Sequence, residues 1–323
     1  MNNIAKELHV IFGSGPVGTT LADELLARGK QVRIVNRSGK GQVTDGVELV
    51  VGDASKLEQV QELAQGAAVM YNCTHAPYHT WPETLPRLQE NMIEGAATTG
   101  ARLIVIDTLY MYGETHGEPM TEATPHIATS RKGRLRAELA WGYLQAYRTG
   151  KARVAIGRAA DFFGPRVLNS SLGEYVFPTI LSDQPALTMG NIDLPHSYSY
   201  MPDIARGLAT LGEREQALGR DWLLPVNPAI STREVFRIIG EVIGQQPQIF
   251  NVPTMEQIQT MGIMDETFAR EYAELFYQYT EPQIVDSRTF TQTFDLQPTP
   301  FEDAIRATVA WYRGYTQATN VRA

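Results

Sequence analysis

Short apolar runs alternate with longer stretches in which apolar residues recur every three to four positions. Leu8–Phe12 is an apolar run that ends in glycines and reads as a strand. Thr19–Arg28 carries Leu21, Leu25 and Leu26 at helical spacing and stops at Gly29, in the place of a C-cap glycine. Strands follow at Gln31–Val35, Val47–Val51 and Ala67–Tyr71, with a helix over 55–65 between the last two. A helix over 83–99 leads into the apolar strand 102–106, and a helix over 129–148 leads into strand Val154–Gly157. Leu135, Leu139, Ala140, Tyr143, Leu144 and Tyr147 mark the buried face of the 129–148 helix. Strands alternating with helices predict an α/β fold, a Rossmann-type doubly wound parallel sheet covered on both faces.

After Pro165 the pattern loosens. Proline, tyrosine and short apolar patches fill 166–202, followed by a helix at 203–212, a strand at 222–226 and helices at 232–243 and 301–313. The expected organisation is a dinucleotide-binding domain over 1–165, to which 203–230 returns. Residues 166–202 and 231–323 form a smaller substrate-binding cap over the sheet's carboxyl edge, where open α/β sheets bind ligands.

Composition narrows the function classes. The chain has 323 residues, 43% of them hydrophobic, enough for a substantial core. Its 28 basic and 36 acidic residues leave a net charge of -8, which argues against nucleic acid or an anionic membrane as a partner and for a small-molecule substrate. No apolar run reaches the ~20 residues of a membrane span. The start MNNIAKELHV lacks the pattern of a signal peptide, and the single cysteine, Cys73, allows no internal disulfide. The expected setting is cytoplasmic, and a homodimer is left open.

The first predicted strand runs into Gly13-Ser14-Gly15-Pro16-Val17-Gly18, a G-x-G-x-x-G between strand and helix. The first glycine permits the tight turn, Gly15 lets a pyrophosphate approach the backbone, and Gly18 lets helix and strand pack closely. The helix N-terminus offers amides and a positive dipole to the phosphates. The second strand ends at Asn36-Arg37-Ser38, where an NAD site usually has an acid for the ribose 2′-hydroxyl. Neutral Asn36, and an Arg37 able to pair with a 2′-phosphate, favour NADP, with NAD as the alternative. At Gly52-Asp53-Ala54, Asp53 is either an acceptor for the adenine amino group or a turn aspartate. Thr74, after the fourth strand, is a further cofactor contact.

With these residues in place the chain resembles the extended short-chain dehydrogenase/reductases of the NAD-dependent epimerase/dehydratase group, over nearly its whole length. The family's serine-bearing strand and its Tyr-Gly ending resemble Asp107-Thr108-Leu109-Tyr110-Met111-Tyr112-Gly113. Its arginine-to-Tyr-Gly-Pro segment resembles Arg158–Pro165, its later aromatic stretch Tyr198–Ala205, and its closing helix Pro298–Tyr312. The family's Tyr-x-x-x-Lys is missing. With Glu138 anchoring the register, Ser130 takes the tyrosine slot and Arg134 the lysine slot. The Tyr147–Lys151 match is rejected, because it lies ~27 Å along the helix from the strands' carboxyl ends.

The resemblance therefore implies hydride chemistry with a non-standard proton donor. Serine is a far poorer acid than tyrosine, and Arg134 can bond a ribose but keeps its proton. Thr108 stands in the slot that bonds the substrate oxygen. If the strand continued, Thr108, Tyr110 and Tyr112 would share a face, making Tyr110 a candidate donor, with His75 the imidazole alternative. Cys73-x-His75 with His79 has metal-like spacing, but no acid cluster completes a site, so no metal is expected. Three functions compete: an NADP-dependent oxidoreductase or isomerase acting on a small carbonyl or sugar-like substrate, a catalytically degenerate NADP-binding sensor, and a nucleotide-sugar epimerase or dehydratase using bound NAD.

Overall fold

The computed structural model describes residues 6–320. The reading of the extreme N-terminus as free of a targeting start falls partly on residues outside that range. The first half builds β1 (Leu8–Phe12), α1 (Pro16–Ala27), β2 (Gln31–Asn36), β3 (Val47–Val51), α2 (Leu57–Leu63), β4 (Ala67–Asn72), α3 (Trp81–Thr99), β5 (Arg102–Asp107), α4 (Arg131–Arg148) and β6 (Arg153–Arg158). The rest adds β7 (Asp161–Phe163), α5 (Phe177–Leu181), β8 (Ala186–Met189), β9 (Pro195–His196), β10 (Tyr198–Tyr200), α6 (Met201–Glu213), β11 (Asp221–Leu223) and β12 (Ile230–Ser231). It closes with α7 (Thr232–Ile243), β13 (Ile249–Val252), α8 (Met255–Thr260), α9 (Glu266–Tyr272), α10 (Arg288–Phe294) and α11 (Phe301–Asn320).

Seven strands form one parallel sheet in the order β3-β2-β1-β4-β5-β6-β11. This is the expected Rossmann-type sheet. Apolar side chains alternate to its two faces. Val10, Met70, Leu103, Val154 and Ile156 pack under α3 and α4, while Ile11, Ile34, Ile104 and Ala155 pack under α1 and α6. Chain order reverses between β1 and β4, the switch point at which such sheets open a crevice at their carboxyl edge. A separate core of Phe163, Phe177, Phe236, Ile239, Ile305 and Tyr312 holds α5, α7 and α11 together beyond that edge.

Two local expectations change. The fifth strand stops at Asp107, and Tyr110–Tyr112 form a single 3-10 turn. Residues 108, 110 and 112 therefore do not share a strand face. Asp107 Oδ1 accepts from the Thr108 amide, and Thr108 Oγ1 from the Tyr110 amide, so local polar bonds replace the ladder. Tyr147 is 39% exposed rather than buried. It sits in the last turn of α4 and lies against Gly219, at the sheet edge opposite the switch-point crevice. No described helix is long and apolar enough to cross a membrane.

Candidate functional site

The turn between β1 and α1 is closed tightly on its neighbours. Gly13 is at φ +113°, and a Cβ there would come within 2.3 Å of the Cys73 carbonyl oxygen. At Gly18 a Cβ would meet the Gly13 oxygen at 2.0 Å. These two glycines let strand, turn and helix close on one another. Gly15 differs: no protein atom lies within 4 Å of where its Cβ would be. The space above it is open, and no side chain caps α1 there. Pro16 takes the first helical turn, where a missing N–H costs nothing. The helix dipole and first-turn amides thus face open space, from which an anionic group can approach the backbone.

The end of β2 leans on the same turn. Asn36 Nδ2 donates to Ser14 Oγ at 2.8 Å and to the Lys40 carbonyl at 2.9 Å, while its Oδ1 accepts from the Gly39 amide at 2.6 Å. Ser38 Oγ closes the loop on Asn36 and Lys40. A carboxylate at 36 would lose both donor bonds, which gives the neutral residue a structural reason. Arg37 is exposed and extends from this fixed loop. Asp53 Oδ1 accepts from the Ser55 amide at 2.9 Å, the geometry of a turn aspartate ahead of α2. Burial pushes its carboxyl up, but the Ser55 bonds, Lys56 and Arg37 outweigh that and leave it below the usual range. Ala54 is buried beside it. Thr74 is turned inward, bonding Asn72 Oδ1 through Oγ1 at 2.6 Å, and Asn72 Nδ2 continues to the Tyr143 hydroxyl at 3.0 Å.

On α4, Ser130 is the N-cap, its Oγ accepting from the Gly133 amide at 3.1 Å. Arg134 is exposed and folds back to the Thr129 carbonyl. Lys132, between them, is buried. Its Nζ meets Glu271 at 2.6 Å and Glu274 at 2.7 Å, and lies 5.3 Å from the centre of the Tyr78 ring. The Lys132 charge holds the Glu271 carboxyl below its usual range, although burial opposes it. Glu271 on α9 and Glu274 just after it are therefore ion-paired to the first turn of α4.

The Tyr110 and Tyr78 side chains meet beyond β4 and β5, while Thr108 Oγ1 accepts from the Tyr110 amide. The Tyr110 and Tyr78 hydroxyls are 2.9 Å apart. Burial pushes Tyr110 well above the ordinary phenol range, and the neighbouring phenols Tyr78 and Tyr272 add to it. Burial also raises Tyr78, while its bond to Tyr110 and the charge of Arg136 pull the other way. Both are neutral hydrogen-bond donors at pH 7. Burial, then Arg136, depresses the His75 imidazole. His79 is exposed. Burial pushes the Cys73 thiol up to about 12, leaving it an apolar packing group.

The structure adds a group that the sequence motifs did not single out. Asp161, just past β6, receives Ser171 Oγ at 3.0 Å, the Tyr279 hydroxyl at 2.9 Å and His196 Nε2 at 3.2 Å, all on Oδ2. Tyr272 donates to Tyr279 at 2.8 Å, and the Tyr272 ring stacks on Tyr78 at 6.3 Å. A chain of phenols thus runs from the end of β5 to a carboxylate–imidazole pair. Burial would raise the Asp161 carboxyl, but the His196, Tyr279 and Ser171 bonds hold it below its usual range. Asp161 belonged to the Arg158–Pro165 segment, and His196 precedes the aromatic stretch at 198. Their meeting depends on the β7–β10 pairing, a tertiary fact. Beneath them, Asp107 bonds Arg136 at 3.1 Å, and Arg158 pairs with Asp221 at 2.9 Å.

This chain belongs to the NAD dependent epimerase/dehydratase family, whose profile matches residues 10–224. UDP-glucuronic acid decarboxylase 1 of Arabidopsis thaliana is 24% identical over 234 residues, covering 65% of this chain and 53% of that protein. The Xenopus tropicalis protein of the same name is also 24% identical, over 235 residues, 64% of this chain and 53% of that protein. The chain thus spans about half the length of these curated relatives. An epimerase from Methanothermobacter thermautotrophicus superposes with a TM-score of 0.78 at 16% identity, covering 97% of this chain and 94% of that one. A UDP-glucuronic acid 4-epimerase from Bacillus cereus, in complex with UDP-glucuronic acid and NAD, superposes with a TM-score of 0.76 at 15% identity, covering 95% and 99%. These likenesses establish a shared fold.

Proposed function

We propose that this chain is a dinucleotide-dependent enzyme of the epimerase/dehydratase type, acting at a hydroxyl-bearing or carbonyl carbon of a small sugar-like substrate. The observation that carries the reading is the open space above Gly15, at an uncapped helix N-terminus on the same sheet edge as the Tyr110–Tyr78 hydroxyl pair. Membership of the family, and neighbours solved with NAD, support this over a free-standing NADP reductase. A bound nicotinamide supplies or accepts the hydride. Thr108 orients the reacting oxygen, and Tyr110, held by Tyr78, donates to it as negative charge develops. Arg37 and Arg134 hold the cofactor's ribose and phosphate groups, Arg37 by reaching for a 2′-phosphate, so NADP remains the preferred form in this proposal.

The test has two stages. NAD+, NADP+ and their reduced forms are titrated by calorimetry, and the loaded protein is then incubated with a sugar and sugar-nucleotide panel followed by NMR. Failure to bind any dinucleotide overturns the reading. A second reading, a dinucleotide-binding sensor without turnover, is favoured by the capping role of Ser130 and the outward turn of Arg134. Tight cofactor binding with no product across the panel would support it.

A further inference from the structure

Residues 253–278, which carry α8, α9 and the turn after them, lie against Tyr78 but are rooted elsewhere. At one end β13 pairs with β8, and at the other the Tyr279 carbonyl accepts from the Asn191 amide at 2.8 Å. Ile258 and Phe276 pack with Val252 and Leu187 in a small core, separate from the one that joins α5, α7 and α11. A segment with an apolar centre of its own can shift without unpacking the sheet.

The inner side of this segment meets the start of α4. Among the described residues, its ion pairs to the first half of the chain run from Glu271 and Glu274 to Arg131 and Lys132. The Arg131 side chain is 67% exposed, so water and salt screen its share. The Lys132 side chain is 4% exposed, with both carboxylates on its Nζ, and a buried pair that loses one partner is strongly disfavoured. The same contacts converge on one ring. Phe268 and Tyr272 of α9 stack on Tyr78 at 5.7 and 6.3 Å, and Lys132 Nζ lies 5.3 Å from the ring centre. The hydroxyl of that ring bonds Tyr110.

We propose that Lys132 is a positioning residue: by latching Glu271 and Glu274 it seats α9 on the Tyr78 ring, and so fixes the hydroxyl that Tyr78 presents to Tyr110. Residues 253–278 are then a strap that completes the site when shut and frees Tyr78 when the latch opens. This rests on the proposed function, in which Tyr110 is the donor, and deepens it by making the donor's geometry depend on a distant segment.

The test uses the full chain and Lys132→Met, which keeps the length of the side chain and removes its charge. Hydrogen exchange reads the strap. NMR of tyrosines labelled at the hydroxyl-bearing ring carbon reads the phenols, with signals assigned by Tyr78→Phe and Tyr110→Phe. Exchange across 255–276 should rise ~10-fold or more, while that of β1, β4 and β5 keeps its wild-type rate. The Tyr110 signal should shift along with that of Tyr78, which the lysine itself faces, and the signal of Tyr312 in the α11 core should not. Glu271→Gln combined with Glu274→Gln opens the same latch from the strap's side, and replaces Lys132→Met if that variant does not fold. The proposal is overturned if exchange in the strap is unchanged, if it rises equally in the sheet, or if the Tyr110 signal stays in place. Dinucleotide titration of the same samples separates the two readings. Normal cofactor binding with an unmoved Tyr110 signal refutes the latch alone, whereas absent cofactor binding in the wild type refutes the proposed function.

Discussion

The two sides of the crevice are built on opposite plans. On the β1–β3 side the turn is made of backbone: Gly13, Gly15 and Gly18 supply space, and Asn36 and Ser14 tie it together by short-range bonds. On the β5–β6 side the site is made of side chains from distant segments. Tyr78, Tyr110, Asp161, His196, Tyr272 and Tyr279 come from five stretches of chain and meet through tertiary contacts. The difference tells which half can change its chemistry. A backbone cradle accepts one kind of ligand, whereas a wall of side chains can exchange its acid, its anchor and its charge while the sheet beneath stays the same.

The comparison breaks most visibly at the glycines. Gly15→Val places its side chain in open space, so the fold should survive while dinucleotide affinity falls by ~10³ or more, the loss of most of the pyrophosphate contacts. Gly13→Ala should act in the reverse sense. Its Cβ would overlap the Cys73 carbonyl at 2.3 Å, at a φ of +113°, and should cost at least about 2 kcal/mol of stability. Calorimetric titration and thermal melts of both variants check this. A Gly15→Val protein that still binds cofactor with wild-type affinity would show the loop to be only a turn.

On the other side, Thr108→Ala and Tyr110→Phe should each lower turnover by ~10², the scale of a lost oxyanion donor or acid. Restoring the family pattern with Ser130→Tyr and Arg134→Lys sharpens the contrast. A gain in carbonyl reduction would mean the pocket still accepts the ordinary mechanism. Unchanged turnover in Tyr110→Phe would remove the phenol pair from the reaction.

Much of the molecule was legible from local chemistry. The seven-strand sheet follows from apolar runs alternating with helical spacing, and the tight turn after β1 from its glycines, since at Gly13 and Gly18 a Cβ would collide. The misreadings fall where long-range bonds decide. Tyr110 would share a strand face with Thr108 if the strand of 102–106 continued, but Asp107 and Thr108 bond their own backbone and end it. Lys132 shows nothing in the sequence of its burial, because its partners Glu271 and Glu274 lie about 140 residues downstream. Asp161 gives no sign of its role in sequence, because its three partners lie 10, 35 and 118 residues away.

A smaller effect tests the base end of the cofactor cradle. Arg37 is exposed at the tip of the loop that Asn36 fixes, and its removal should disturb neither. Arg37→Ala should weaken NADPH by about 1–3 kcal/mol and leave NADH nearly unchanged, because only the 2′-phosphate gains from a guanidinium there. Equal losses for both cofactors would mean that Arg37 holds something they share. Wild-type binding of NADH as tight as NADPH would place this chain with NAD users.

The smallest expected effect concerns Ser130, where the two plans meet. The register read from Glu138 puts it in the family's tyrosine slot, but its hydroxyl accepts from the Gly133 amide and serves as a helix cap. If capping is its whole role, Ser130→Ala should lower stability by about 1 kcal/mol and leave turnover per folded molecule within about twofold. Ser130→Asp, which caps as well, should recover the stability without adding activity, and Ser130→Gly should lose only a few tenths of a kcal/mol. Thermal melts and turnover measured on the same preparations distinguish the roles. A fall in turnover of ~10² in Ser130→Ala, with the melting curve unmoved, would return the serine to the reaction and make the phenol pair a packing feature.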